Sequence, residues 1–138
     1  MQKNLVLTLE KVLTNILCYG IAMYFCFVLV KIILIPHDVK ERISIAQHRY
    51  PGTAEEALIA YLVDSTNSPI DRSNIAIWTL GQIGSKKALP ILKVFYKNDP
   101  KVKTCHGKHN SVLCQKELYE AIDCIEHNYG FGLSVETQ

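Results

Sequence analysis

A chain of 138 residues with 15 Lys and Arg against 13 Asp and Glu carries a formal net charge of +2 at pH 7, and its basic residues are dispersed along its length. That balance excludes the basic stripe of a nucleic-acid-binding domain, so no nucleic-acid partner is expected. The 49% hydrophobic content is concentrated near the N-terminus, which leaves about 100 residues for one small water-soluble domain.

Residues 1–11 read as an N-terminal tail. Between Lys11 and Lys31 lie nineteen residues without a charge, and about 20 predominantly apolar residues span the hydrocarbon core of a bilayer. The segment VLTNILCYGIAMYFCFVLVKIILI therefore predicts one transmembrane helix over 12–36. Asn15 and Gly20 are tolerable inside it because a helix satisfies its own backbone groups, and Lys31 can snorkel toward headgroups. A cleaved signal peptide fits less well: the run exceeds an h-region of roughly 7–15 residues, and no A-x-A-like cleavage site follows. A buried amphipathic helix would need a polar face, and Ile16 to Val30 offers none. Pro36 is expected to stop the helix.

Beyond the span, the punctuation is helical. Residues 37–52 read as a charged juxtamembrane linker with Val39, Ile43 and Ala46 at helical spacing, ended by Pro51-Gly52. Thr53 with Glu56 makes a capping box that opens a helix over about 53–64. Ser68, Pro69 and Asp71 open the next, with Ala76, Leu80 and Ile83 on its buried stripe and an end near Gly84. Ser85 is expected to cap a third helix bearing Leu89, Leu92 and Phe95, closed by Asn98-Asp99-Pro100. A last helix carries Leu118, Ala121, Ile122 and Ile125. No stretch alternates with period two, so no strand is predicted.

Ala57-Leu58, Val63, Asn67 and Pro69 recur at Ala88-Leu89, Val94, Asn98 and Pro100, always at an offset of 31. Five matches at one offset suggest a helical-hairpin repeat. Ala76 and Leu80 match Ala121 and Ile125 in pattern when about fourteen residues are inserted after Pro100. Over residues 70–97, AIWTLGQIGSKKALPILKVFY resembles a HEAT repeat of the short kind found in phycobilisome-lyase-type families. The resemblance rests on Ala76, the Leu80-Gly81-Gln82-Ile83-Gly84 turn, the Ala88-Leu89-Pro90 start and Leu92. Gly81 would allow close helix approach, Gly84 a left-handed C-cap, and Pro90 sits where a missing N–H costs least. The resemblance implies a short α-solenoid over 53–128, so that with the transmembrane helix already read from the apolar run the expected fold is all-α. About two repeats are present where arrays usually need about three, so the juxtamembrane helix or a partner is expected to cap the stack.

Such repeats present a stacked helical surface to other proteins, and the resemblance implies a scaffold with a protein partner. Some relatives attach or remove bilins, but nothing here marks that activity. No Gly-rich phosphate loop, nucleophile elbow or His-Glu-x-x-His motif occurs, so neither catalysis, a cofactor nor a small-molecule substrate is expected. Chemistry has one other place to reside, the inserted loop 101–114 with Cys105, His106, His109 and Cys114. These four ligand types suit tetrahedral zinc in principle, but their spacing matches no common finger. A Cys105–Cys114 disulfide is simpler, worth roughly 2–3 kcal/mol in an oxidising compartment, and free thiols remain a third reading. A metal- or redox-responsive module built on this loop is thus the alternative function.

Orientation is divided. Lys31, Lys40, Arg42 and Arg49 outnumber Lys3 and Lys11, which favours a cytoplasmic domain; an uncleaved N-terminal span acting as signal anchor, with a cysteine pair, favours export. The latter is the reading adopted: a single-pass membrane protein with an extracytoplasmic domain. Trp78 reads as packed core before it reads as a partner anchor. Arg72 is expected to pair with neighbouring carboxylates, and His37, His48 and His127 to meet solvent. Residues 129–138 read as a loose tail.

Overall fold

The computed structural model describes residues 2–98 and 112–130, with residues 2–10 and Lys31 described by backbone alone. It comprises two units, Met1–His37 and Asp38–Gln138. The described residues are helical, without a strand, as the lack of period-two alternation predicts.

In the first unit, helix α1 (Gln2–Leu29) leads into a five-residue π-helical turn, Val30–Leu34, and the start of α2 (Ile35–Arg49). The helix begins well before residue 12. Residues 2–11 are rich in Leu, Lys, Gln and Glu, and extending an existing helix needs no new nucleus. Pro36 does not stop it: the residue lies in the first turn of α2. There proline's missing N–H costs least, and the wider i→i+5 turn just before it gives the ring room. Among the described residues one helix, Lys11–Arg49, is long and apolar enough to cross a membrane, and none of its most apolar stretch is buried.

The second unit begins within α2, whose Val39, Ile43 and Ala46 are buried at the predicted spacing. It continues with α3 (Ala54–Val63), the short α4 (Pro69–Asp71), a π-helical turn Arg72–Ile77, α5 (Trp78–Gln82), α6 (Leu89–Phe95) and α7 (Gln115–Glu126). Local chemistry explains the starts. Thr53 Oγ1 accepts from the Glu56 amide while the Glu56 carboxylate accepts from the Thr53 amide, both at 3.3 Å, a complete capping box. Ser68 caps α4, with Pro69 opening the helix and Asp71 in its first turn.

Ser85 behaves differently from expectation. α6 begins only at Leu89, and Ser85 Oγ instead accepts from the Ala88 amide at 3.1 Å. Its hydroxyl donates to the Glu55 carboxylate, so residues 85–88 form a turn tied back to α3. Lys87 reinforces the tie through an ion pair with Glu56 at 3.0 Å. That pair and the Thr53 hydrogen bonds hold the Glu56 pKa below its ordinary value.

α3 packs on the second π-turn and α5; α7 packs on α5, α6 and that same turn. Leu58, Leu62, Ile77, Leu80, Leu92 and Leu118 are fully buried between these elements, each contributing about 1.5–3 kcal/mol of burial free energy. Positions matched by the 31-residue offset behave alike at two places: Ala57 and Ala88 are fully buried, while Val63 and Val94 are exposed. They differ at a third, since Asn67 is buried and Asn98 is exposed with a positive φ of 51°.

Candidate functional site

The contact between α5 and α7 is set by small residues. A β-carbon on Gly81 would lie 2.9 Å from Ala121 Cα, a distance that only glycine permits. Two residues on, Ile83 ends the helix, and Gly84 takes a φ of +67°, the left-handed conformation glycine adopts without strain. Ala76, Leu80 and Leu92 are fully buried, Leu89 is half-buried and Pro90 exposed.

Alongside that contact runs a groove of about 220 Å³ lined by Trp78, Gly81, Gln82, Glu117, Glu120, Ala121, Asp123 and Cys124. Its lining brings the Trp78 indole and the small residues Gly81 and Ala121 together with three α7 carboxylates. Trp78 is half-buried and is more than packed core: the Arg42 guanidinium stacks 4.2 Å from its ring centroid and donates to the Asn74 carbonyl. The π-turn Arg72–Ile77 ends immediately before Trp78 and sets the angle at which the indole leaves the helix; single π-turns within helices recur at functional sites. Beyond α7 the backbone closes in at one edge. Tyr129 N donates to the Cys124 carbonyl at 3.0 Å, and a β-carbon on Gly130 would meet the Gly81 and Gln82 carbonyls at 2.8 Å. Tyr129 and Gly130 are therefore fixed, contrary to the expected loose tail; residues 131–138 lie outside the described residues.

The inserted loop is pinned at its base. Gln115 Oε1 accepts from the Lys97 amide at 2.7 Å and its Nε2 donates to the Phe95 carbonyl at 3.3 Å, joining the end of α6 to the start of α7. Cys114 is buried, disulfide-bonded, and donates its amide to Ser73 Oγ at 3.3 Å. Cys105, His106 and His109 lie outside the described residues. Cys18 and Cys26 are exposed free thiols on α1.

A polar cluster at the end of α3 was not legible from motifs. Asn67 Nδ2 donates to the Tyr61 carbonyl at 2.9 Å and to Tyr50 Oη at 3.0 Å, and the Tyr50 hydroxyl donates to Asp64. That hydrogen bond, followed by those from Thr66, lowers the Asp64 pKa to about 2. Arg72 completes the joint. Its Nε donates to the Leu62 carbonyl at 2.6 Å and its guanidinium lies 5.3 Å from the Phe95 ring centroid; burial lowers its pKa while the charge of the Asp64 carboxylate opposes that shift, so the expected carboxylate partner acts through charge. The signal in sequence was the match of Asn67 to Asn98, which marked a turn without revealing its bonds.

No protein-family model, curated protein or solved structure matches this chain.

Proposed function

We propose that this chain is a single-pass membrane protein whose HEAT-like helical unit docks a protein partner, with the unit on the extracytoplasmic side. The observation that carries the reading is the division of apolar surface. α1 exposes Ile16, Met23, Phe25 and Phe27 by more than 60% each, an apolar surface suited to lipid, whereas the second unit buries Leu58, Leu62, Leu80, Leu92 and Leu118 in a core. On that second unit, isolated apolar groups remain outside: Val94 is 82% exposed on α6 and Tyr119 46% on α7. Exposed apolar groups on a helical unit that also carries a groove suit a binding role.

The test is site-specific photo-crosslinking of the full chain in its native membrane, with the reactive residue at Gln82 or at Val94. The expected result is a discrete protein adduct from at least one position. Adducts to lipid alone, or to nothing, contradict the reading.

The disulfide at Cys114 favours one second reading, a redox-responsive loop. Under it, reduction abolishes a response while the fold survives; under the scaffold reading, reduction affects stability alone.

A further inference from the structure

We infer that the groove between α5 and α7 is the docking site, and that its occupant is a basic segment of a partner protein, an arginine or lysine side chain lying against Trp78 between the α7 carboxylates. The inference rests on the interaction reading above and specifies its surface and partner chemistry.

Volume is the first argument. About 220 Å³ is small beside the roughly 300–1,000 Å³ of small-molecule sites; it suits one or two side chains inserted from a peptide. Charge is the second. The whole chain is net positive, yet α7 carries four carboxylates, Glu117, Glu120, Asp123 and Glu126, against one base, Lys116. Three of the four line the groove, following its edge at three-residue spacing along one helix face. Their attraction is for a cationic partner, through steering as well as contact. Two of these groups, Glu120 and Asp123, make exposed pairs that yield readily to such a partner. Glu120 faces Lys116 at 3.6 Å and Asp123 faces His127 at 3.1 Å, every side chain at least 38% exposed, and exposed pairs of this kind contribute little.

The aromatic lining is the third argument. An indole attracts cations through its ring quadrupole, and Arg42 already exploits this at 4.2 Å within the chain. The groove thus combines an aromatic ring with carboxylates in one lining, the combination that selects a guanidinium or ammonium carried on an apolar stem. Arginine matches best because its planar fork pairs with carboxylates and stacks on rings.

Trp78 is the one tryptophan in the sequence, so its emission reports on the groove directly. The experiment titrates the full chain in detergent micelles with a pentapeptide of alternating arginine and leucine, against a control with glutamate in place of arginine. The expected result is a saturable change in Trp78 emission with the arginine peptide, weakening as salt rises, and none with the glutamate peptide. In Glu120→Lys/Asp123→Lys, whose altered side chains are exposed enough to leave the fold intact by circular dichroism, affinity falls at least tenfold. No saturable change, or equal affinity in the variant, overturns the inference. Its failure is separable from failure of the interaction reading: a protein adduct at Val94 without peptide binding rejects the groove alone, whereas no adduct at either position rejects the interaction itself.

Discussion

Gly81 and Ala121 meet so closely that a β-carbon on Gly81 would stand 2.9 Å from the Ala121 α-carbon, which makes this pair the pivot on which α5 and α7 pack. Because the obstructing atom is backbone, no rotamer change relieves the clash. Gly81→Ala is predicted to destabilise the unit by about 1–3 kcal/mol, the usual range for overpacking, measured as a lowered midpoint of chemical unfolding. Gly84→Ala is expected to act differently, through its φ of +67° and not through contact, since nothing lies within 4 Å of a β-carbon there.

Much of this was written locally in the sequence. The Thr53–Glu56 box, the Ser68-Pro69-Asp71 start and the left-handed Gly84 each depend on residues within a single turn, and such chemistry is readable without tertiary information. The passage of the helix through Pro36 was not, because the accommodating π-turn at Val30–Leu34 leaves no compositional mark. The same holds for the turn before Trp78 and for Asn67, whose partners Tyr50 and Tyr61 are chosen by packing. The groove fell between these cases. Its α7 carboxylates were visible one by one, but only folding sets them beside Trp78.

Asp64 predicts a specific acid response. Its folded pKa of about 2 lies below the ordinary 3.8, chiefly because the Tyr50 hydroxyl donates to its carboxylate. A depressed carboxylate contributes stability fully above its unfolded pKa and loses it as pH falls through the folded value. The contribution is thus present above about pH 4 and lost progressively toward pH 2. Tyr50→Phe removes the largest cause and moves the Asp64 titration up toward the ordinary carboxylate range. Carboxyl-carbon NMR titration of both proteins checks this; an unchanged titration in the variant contradicts it.

Gln115 predicts an effect at a distance in sequence. Its side chain holds the Lys97 amide and the Phe95 carbonyl while being only 6% exposed. Gln115→Ala leaves both backbone groups without that partner and is predicted to cost about 1–3 kcal/mol. Hydrogen exchange provides the finer reading, with the Lys97 amide losing protection before amides in the middle of α3.

For Cys114, which is disulfide-bonded, we predict that alkylation followed by mass spectrometry labels the thiol only after reduction, and that Cys114→Ser costs roughly 2–3 kcal/mol, in the usual range for loss of a disulfide. A thiol labelled without reduction points to a reducing compartment. Labelling that appears on chelation favours zinc and the metal-responsive reading.

The central claim is that α1 is a membrane span carrying the helical unit. Alkaline carbonate extraction of native membranes tests it most directly, because the treatment strips proteins held by charge or by partners and leaves those embedded in lipid. The full chain is expected to stay in the membrane pellet; its release into the supernatant would contradict a membrane span.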